Sequence, residues 1–367
     1  PPGGSINNSF GGNSAISPDG RTVVFLATDS IGKSFLYVRP LRELTARRLQ
    51  GTEGGYYPFW SPDNKSIGFF SNGKLKKMDV VGGSPLTICN APSGRGATWG
   101  REGVIVFAGG PSSGLSRVSA TGGEPAPLTT LDTSRSESSH RWPFFLPDGK
   151  HFLFLARSGR SVGDLGGDGL TVGSLDSPDL QPVMKVGSIV EYADGYLFYI
   201  VENSLMARAF DPVKLTLTGD PFTVAEQILF STNMGKGDFS VSEAGDILYG
   251  IGASTEEKFL KWYDRSGKEV STVGDPAAYI GLQLSPDGKR VALEEYNRSA
   301  GNGDIWIYDL ERGTKSRLTF SADPDRTPVW SPEGGTIYYM SGDDIFKKNS
   351  NGIGAEIPIL NSDAMKR

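Results

Sequence analysis

The sequence contains very little cysteine and histidine. Among its 367 residues, Cys89 is the only cysteine, and His140 and His151 are the only histidines. An intrachain disulfide needs two cysteines, so none can form within this chain. Zinc and iron sites need clustered ligands such as cysteine or histidine, and this composition disfavours them.

Long apolar runs and basic clusters are missing as well. No stretch approaches the ~18 consecutive apolar residues of a membrane-spanning helix. The net charge is −5 and the basic residues are scattered, whereas nucleic-acid-binding proteins usually carry a basic patch. The first residues, Pro-Pro-Gly-Gly, lack the basic start and apolar segment of a signal peptide. We therefore expect no nucleic-acid binding and no membrane span in this chain. The sequence leaves open whether an anchoring helix precedes residue 1.

One turn motif recurs along the chain, among 49 glycines and 23 prolines. Each copy precedes an apolar run. Five copies are clear: Ser17–Gly20, Ser61–Asn64, Leu146–Gly149, Ser285–Gly288 and Ser331–Gly334. Three are degenerate: Gly100–Gly103, Tyr192–Gly195 and Ser242–Gly245. Successive copies start 39 to 50 residues apart, which is typical of a repeat architecture.

The tetrad predicts a hairpin turn between two strands. Proline presets φ, aspartate caps local amides and glycine supplies a positive φ. A third and a fourth short strand follow in most units, as in Ile305–Tyr308 and Ser316–Leu318. Four short strands per repeat predict an all-β fold, a β-propeller of four-stranded antiparallel blades. The repeats indicate eight blades, with seven or an incomplete ring as alternatives, whereas stacked sandwiches do not repeat one turn at a fixed period.

The repeat also predicts the domain limits. Residues 12–360 are expected to form a single propeller domain. Residues 1–11 form an N-terminal tail or an extra strand, and residues 361–367 a C-terminal tail. The blades are expected to start near residues 12, 56, 96, 140, 187, 237, 279 and 327.

The tetrads, with Asp304–Leu310 and Arg317–Thr319, resemble the TolB-like propeller repeat, a relative of the WD repeat. Further stretches are similar to the propeller region of some bacterial membrane serine/threonine kinases. They are Ala15–Val24, Tyr57–Asp63, Ser139–Trp142, Phe145–Gly149, Gly173–Asp176 and Trp262–Gly267. This resemblance implies a periplasmic or cell-surface sensor or partner-binding domain, with a kinase domain and a membrane helix outside this chain.

No catalytic set emerges from the sequence. Gly159–Gly163 matches the G-x-S-x-G pattern, but that nucleophile needs a strand-to-helix elbow, and the glycine-rich segment after it disfavours a helix. Asp164–Asp168, Asp323–Asp325 and Asp343–Asp344 could bind calcium, although none has EF-hand spacing. We therefore predict no enzyme and no cofactor, and leave calcium open.

A ligand is expected where the chain enters the innermost strands, on the face opposite the tetrads. Large polar and aromatic residues are concentrated there: Tyr56, Tyr57, Arg95, His140, Arg141, Trp142, Glu191, Tyr192, Asp238, Tyr279, Asp325 and Arg326. Such residues suit a protein, peptide or glycan partner, or simply bind water and neighbouring blades. The sequence thus predicts a non-catalytic binding or sensor propeller. The alternatives are a lyase or lactone hydrolase with a channel metal, and a structural scaffold in an oligomer.

Overall fold

The computed structural model describes residues 5–7, 12–158, 168–251, 258–297, 302–321, 323–342 and 344–360. It contains β-strands and one short 3₁₀ helix at Thr133–Arg135. The chain forms two compact units, unit 1 (Pro1–Ala253) and unit 2 (Ser254–Arg367). The fold is all-β with four-stranded antiparallel sheets, as expected of propeller blades.

The tetrads form the predicted turns, and their serines do much of the capping. The Ser17 hydroxyl donates to Asp19 Oδ1 at 2.6 Å and accepts from the amide of Thr22 at 2.9 Å. Gly20 has a φ of +70°, which a residue with a side chain rarely adopts. Ser61 repeats both hydrogen bonds at 2.6 and 2.9 Å. Because all partners lie within five residues, each tetrad specifies its turn locally.

Within the described residues, unit 1 contains six successive sheets and one further two-stranded hairpin, and each of the six is described from its innermost strand outward. Sheet 1 contains β2 (Ser14–Ile16), β3 (Thr22–Thr28), β4 (Ser34–Pro40) and β5 (Arg47–Arg48), and β1 (Ser5–Ile6) also pairs with β3. Sheet 2 contains β6 (Tyr56–Trp60), β7 (Ser66–Ser71), β8 (Lys74–Asp79) and β9 (Leu86–Asn90). Sheet 3 contains β10 (Ala97–Trp99), β11 (Val104–Phe107), β12 (Ser116–Ser119) and β13 (Ala126–Pro127).

The remaining sheets of unit 1 follow the same order. Sheet 4 contains β14 (Glu137–Phe145), β15 (His151–Ser158), β16 (Gly169–Ser174) and β17 (Gln181–Lys185). Sheet 5 contains β18 (Val190–Ala193), β19 (Tyr196–Val201) and β20 (Ser204–Asp211), with β21 (Thr216–Leu217) and β22 (Phe222–Ala225) both paired to β20. A hairpin of β23 (Phe230–Ser231) and β24 (Lys236–Gly237) precedes sheet 6, which contains β25 (Phe239–Val241) and β26 (Ile247–Tyr249).

The innermost strands of unit 1 close a ring. Each contacts the next in the order β2, β6, β10, β14, β18 and β25, and β25 contacts β2. Among the described residues, three hydrogen bonds cross this closure. The Ser14 hydroxyl donates to Asp238 Oδ1 at 2.8 Å, the Ile16 amide donates to Ser240 Oγ at 3.4 Å, and the Glu243 amide donates to the Pro18 carbonyl at 3.0 Å. Unit 1 is therefore a closed ring of six sheets. The predicted count of eight blades is not confirmed, and the single domain over residues 12–360 stays a prediction.

Neighbouring sheets in unit 1 are joined by polar side chains as well as by the apolar core. Trp60 Nε1 donates to the Ala15 carbonyl at 3.1 Å. The amide of Val241 donates to Glu191 Oε2 at 2.8 Å, and the amide of Phe145 donates to Thr98 Oγ1 at 3.2 Å. These contacts give the innermost strands a fixed position, from which the loops at both of their ends project.

Unit 2 contains three sheets. Sheet 7 contains β27 (Lys258–Tyr263) and β28 (Glu269–Ala277). Sheet 8 contains β29 (Tyr279–Leu284), β30 (Arg290–Asn297), β31 (Asn302–Asp309) and β32 (Thr314–Arg317). Sheet 9 contains β33 (Asp325–Trp330), β34 (Thr336–Ser341), β35 (Asp344–Asn349) and β36 (Ile357–Leu360). Trp330 Nε1 donates to the Gln283 carbonyl at 2.9 Å, which repeats the link made by Trp60 in unit 1.

One repeat departs from the predicted four strands. The sequence predicts that the unit around Ser242 continues through Lys261–Tyr263 and Glu269–Val273. In the described part of the chain, β25 and β26 instead form one two-stranded sheet, and β27 and β28 form another. The spacing of the repeat correctly predicts the strands, but strand pairing depends on contacts that spacing does not specify.

Candidate functional site

Two innermost strands of unit 1 carry the same bulge where the chain enters them. Tyr57 in β6 and Trp142 in β14 have φ values of 48° and 54°, and each precedes a proline. The pairing register shifts at both positions. A bulge re-aims a side chain, and a left-handed backbone in a bulky residue is strained. We call this end of the innermost strands the entrance end, and the end with the tetrads the turn end.

The bulges bring two aromatic rings together. The ring centroids of Tyr57 and Trp142 lie 4.7 Å apart with an interplanar angle of 87°, and Tyr56 lies 5.2 Å from Tyr57. Gly96 has a φ of +94°, and a Cβ on it would lie 2.6 Å from Trp142 Cε3. The edge-to-face pair is thus packed against a backbone that only glycine accommodates.

Three arginines lie beside this aromatic pair. We define the arginine cluster as Arg95, Arg141 and Arg157. Arg141 Nε donates to Ser139 Oγ at 2.9 Å, and its Nη1 lies 3.3 Å from the Asn233 carbonyl oxygen. Arg95 Nε is buried and has no hydrogen-bond partner among the described residues.

A carboxylate and a tight turn complete the surroundings of the cluster. Arg157 Nε pairs with Asp168 Oδ2 at 3.0 Å, and Arg157 Nη1 donates to the Asn233 carbonyl. Trp142 Nε1 donates to the carbonyl of Met234 at 2.9 Å. The turn between β23 and β24 therefore directs its carbonyl oxygens toward the cluster, where they partly compensate the positive charge.

The charges of the cluster affect one another. Burial, together with the neighbouring Arg157 and Arg95, lowers the pKa of Arg141 to about 10, while Asp168 opposes them. Burial raises the pKa of Tyr57 to about 12, although Arg95 and Arg141 act in the opposite direction. The phenol therefore stays protonated near neutral pH and can donate a hydrogen bond beside the guanidinium groups.

A cavity of about 470 Å³ follows the innermost strands toward the turn end. Its walls combine aromatic side chains and prolines with charged side chains such as Glu191 and Lys236, and the aromatic ones include Phe59, Trp99, Phe145 and Tyr192. Tyr57 and Trp142 line it, whereas Arg95 and Arg141 do not. The aromatic pair thus separates this cavity from the arginine cluster. At the turn end, Arg101 and Glu243 form an exposed ion pair at 3.0 Å.

Two of the residues predicted at the entrance, Glu191 and Asp238, make their contacts inside the ring. Burial raises the pKa of Glu191 to about 7, and nearby Lys236 opposes this rise. Burial also raises the pKa of Asp238 and lowers that of Lys236. Glu191 binds the amide of Val241, as described above, and Asp238 takes part in ring closure. Neither carboxylate is directed toward the arginine cluster as a ligand-binding group would be.

His140 is also held internally. It is fully buried, with Nδ1 2.7 Å from Thr129 Oγ1 and Nε2 3.0 Å from Glu137 Oε2. Its ring packs on Phe154 at 4.6 Å, and burial lowers its pKa. A neutral histidine with both nitrogens bonded joins the insert at Asp132–Ser139 to sheet 4, and it has no free nitrogen for a ligand.

The remaining predicted residues lie elsewhere. Tyr192 packs against Phe210 with ring centroids 6.2 Å apart. Tyr279, Asp325 and Arg326 belong to unit 2. The Tyr279 hydroxyl donates to the Asp275 carbonyl at 2.9 Å, Asp325 is fully buried with a pKa raised by burial, and Arg326 pairs with Met340 in register. In unit 1 the structure thus brings together Tyr56, Tyr57, Arg95, Arg141 and Trp142, and whether they bind a ligand stays a prediction.

Sequence reasoning missed Arg157, Lys236 and the carbonyls of Asn233 and Met234. Arg157 lies at the end of a second strand, whereas the prediction considered only innermost strands. Its position close to the long glycine-rich segment between β15 and β16 was the available signal. Main-chain carbonyls carry no sequence signal, because every residue has one.

The other candidate sites give no further chemistry. Gly159–Gly163 lies outside the described residues, as do Asp343 and most of Asp164–Asp168. Within the described ranges no group of three or more histidine, cysteine, aspartate or glutamate side chains could hold a metal ion. A separate search of the same residues finds no helix that is long and apolar enough to cross a membrane.

A known protein family matches part of unit 2. The family model of the dipeptidyl peptidase IV (DPP IV) N-terminal region matches residues 285–360. No curated protein matches the chain.

Several solved structures are similar to the chain at low identity. A putative TolB from Agrobacterium tumefaciens is 16% identical over 86% of this chain and 83% of its own, with a TM-score of 0.33. The Cps50 (Swd1) β-propeller domain of Myceliophteria thermophila is 12% identical over 94% of this chain and 99% of its own, with a TM-score of 0.41. An oligogalacturonate lyase in complex with manganese is 13% identical over 100% of this chain and 93% of its own, with a TM-score of 0.38. The resemblance to TolB-like propellers is confirmed.

Proposed function

We propose that this chain is a non-catalytic binding and sensor propeller that recognises a protein partner at the entrance end of unit 1. The observation that carries this proposal is the group of three arginines beside Tyr56, Tyr57 and Trp142. Arginine, tyrosine and tryptophan are the residues that most often dominate binding energy at protein interfaces. Strained backbone at Tyr57 and Trp142 supports the proposal, since such strain concentrates at functional sites.

Capture experiments with a matched control test the proposed surface. The purified chain, the double variant Tyr57→Leu/Arg141→Gln and the control Arg101→Gln are each immobilised and exposed to envelope proteins of the host cell. We expect proteins captured by the wild type and by Arg101→Gln to be lost from the double variant, with all three chains folded by circular dichroism. Equal capture by all three would reject the entrance end as the binding surface.

The cellular role is part of the same proposal. The motifs shared with the propeller region of bacterial membrane kinases support a position outside the cytoplasm, with this propeller as the sensor part. Cell fractionation and protease accessibility of the natural protein test this. Protection of the propeller in intact spheroplasts would reject an extracytoplasmic position.

A further inference from the structure

The arginine cluster holds more positive charge than its surroundings balance. Within the described residues, Arg157 and Asp168 form the only ion pair of the cluster. The hydrogen-bond acceptors of Arg141 are neutral: the hydroxyl of Ser139 and the carbonyls of the turn between β23 and β24. In the part of the chain that the structure describes, three guanidinium groups therefore face one carboxylate.

This arrangement is unfavourable for the free protein. Guanidinium groups remain charged near neutral pH, so like charges held close together repel. The lowered pKa of Arg141 reflects this repulsion together with burial. Arg95 adds a buried Nε without a partner in the described part of the chain, and a buried donor left without an acceptor destabilises a fold. An anionic ligand would remove both deficits.

The geometry limits what kind of ligand can bind. Arg95 and Arg141 do not line the cavity, so a ligand that they bind lies across the entrance end rather than inside the cavity. The carbonyl oxygens of Asn233 and Met234 already lie at the cluster, and their negative ends disfavour a concentrated double charge. Planar carboxylate oxygens match the guanidinium fork and carry one charge each.

We propose that Arg95 and Arg141 bind carboxylate groups of an acidic segment in the protein partner, with Tyr57 donating a further hydrogen bond. This inference rests on the proposed binding function and names the chemistry that it recognises. The chain as a whole carries a net charge of −5, so an acidic partner is repelled over most of the surface. The cluster then determines where the partner docks, because complementary charge sets register more than raw affinity.

Labelled peptides test this inference on the intact chain. We choose a fluorescent peptide with six consecutive glutamates, the matched peptide with six glutamines, and a glutamine peptide that carries one phosphoserine. Fluorescence anisotropy at low ionic strength measures each affinity. We expect the glutamate peptide to bind, the glutamine peptide not to bind, and the phosphoserine peptide to bind more weakly than the glutamate peptide.

Variants of the chain localise that binding. Arg141→Gln and Arg95→Gln should each lower the affinity for the glutamate peptide by about tenfold or more, because each substitution removes charge-assisted hydrogen bonds. Arg141→Lys keeps the charge but loses the fork and should give an intermediate loss. Arg101→Gln removes an equal charge at the turn end and should change nothing. If a glutamine variant does not fold, the loss of peptide affinity expected for Arg141→Lys still tests whether Arg141 binds the peptide.

Three results would overturn the inference. They are equal affinity for the glutamate and glutamine peptides, equal losses in Arg101→Gln and Arg141→Gln, and tighter binding of the phosphoserine peptide. If these occur while the Tyr57→Leu/Arg141→Gln variant still loses protein capture, the proposed binding function stands and only the acidic ligand class fails. If the double variant keeps protein capture and the arginine variants keep peptide binding, both the proposed binding function and the acidic ligand class are rejected.

Discussion

The two ends of the innermost strands in unit 1 are built in different ways. At the turn end, the hydrogen bonds that shape each tetrad join residues a few positions apart, as between Ser17 and Thr22, and the bond from Glu243 to Pro18 links two tetrads. At the entrance end they join residues far apart in the chain, as between Arg141 and Met234, 93 positions away. The turn end repeats one chemistry in several tetrads, whereas at the entrance end only the bulge of β6 and β14 recurs among the contacts described above.

The turn end accounts for the fold, whereas the entrance end carries the proposed function. A turn that depends on neighbours in sequence can be repeated without change, and it carries no information about a ligand. The entrance end contains the strained residues, the like charges and the buried donor of Arg95. Natural proteins tolerate such local conflicts mainly at functional sites. The predictions below test whether the two ends differ in this way.

The largest effect is expected from a single methyl group at the entrance end. A Cβ on Gly96 would lie 2.6 Å from Trp142 Cε3 and 2.9 Å from Trp142 Cα, at a φ of +94°. Gly96→Ala should lower the free energy of unfolding by roughly 2–4 kcal/mol, through backbone strain and overpacking. Gly149→Ala at the turn end, with φ +70° and nothing within 4 Å, should lower it by only about 1 kcal/mol.

Chemical denaturation of both variants measures this difference. Equal losses would show that the backbone at Gly96 relaxes away from Trp142 and that the entrance end is no more tightly packed than a turn.

The second effect concerns the pH dependence of stability. Burial raises the pKa of Glu191 from 4.5 to about 7, so between these values the folded chain keeps a proton that the unfolded chain has released. The stability due to this group is therefore present below about pH 4.5 and is lost as the pH rises through about 7. Glu191→Gln should remove this part of the pH dependence, on the order of 3 kcal/mol.

Wild type and variant are compared by thermal melting across this pH range. Asp238 and His140 titrate in both chains, so only the difference between the two curves reports on Glu191. A constant difference between pH 4 and 8 would contradict the prediction.

The contrast between the two ends also explains which features of the fold could be predicted from the sequence. The tetrads and most strands follow from local patterns, and the structure has them at the predicted positions. Ring closure between β2 and β25 could not be predicted, because it depends on which strands meet after some 220 residues, as Ser14 and Asp238 do.

At the entrance end, local patterns predicted residue types better than roles. Tyr57, Arg95, Arg141 and Trp142 do lie together there. Glu191, however, binds the amide of Val241. Nothing in the sequence around Glu191 distinguishes a carboxylate that faces solvent from one that binds a neighbouring strand. Burial, which decides between them, depends on the whole ring.

A smaller effect is expected at the turn end. Ser61→Ala removes two hydrogen bonds of the Ser61 hydroxyl. The hydroxyl donates to Asp63 Oδ1 at 2.6 Å and accepts from the amide of Ser66 at 2.9 Å. Ser61 is buried and each such bond contributes about 1 kcal/mol, so the loss in unfolding free energy should be about 1–2 kcal/mol. Ser17→Ala should give the same loss, because its turn has the same geometry. Unequal losses, measured by denaturant unfolding, would show that the tetrads are not independent local units.

The smallest effect is expected from the ion pair between Arg101 and Glu243. Both side chains are more than half exposed, at 63% and 59%, and exposed pairs contribute little because water and salt screen them. A double-mutant cycle with Arg101→Gln and Glu243→Gln should give a coupling free energy below about 0.5 kcal/mol that vanishes at high salt. A coupling above about 1 kcal/mol would mean that this pair, which links sheet 3 to sheet 6, helps to hold the ring together. The turn end would then depend on long-range contacts as the entrance end does, and the contrast between the two ends would be lost.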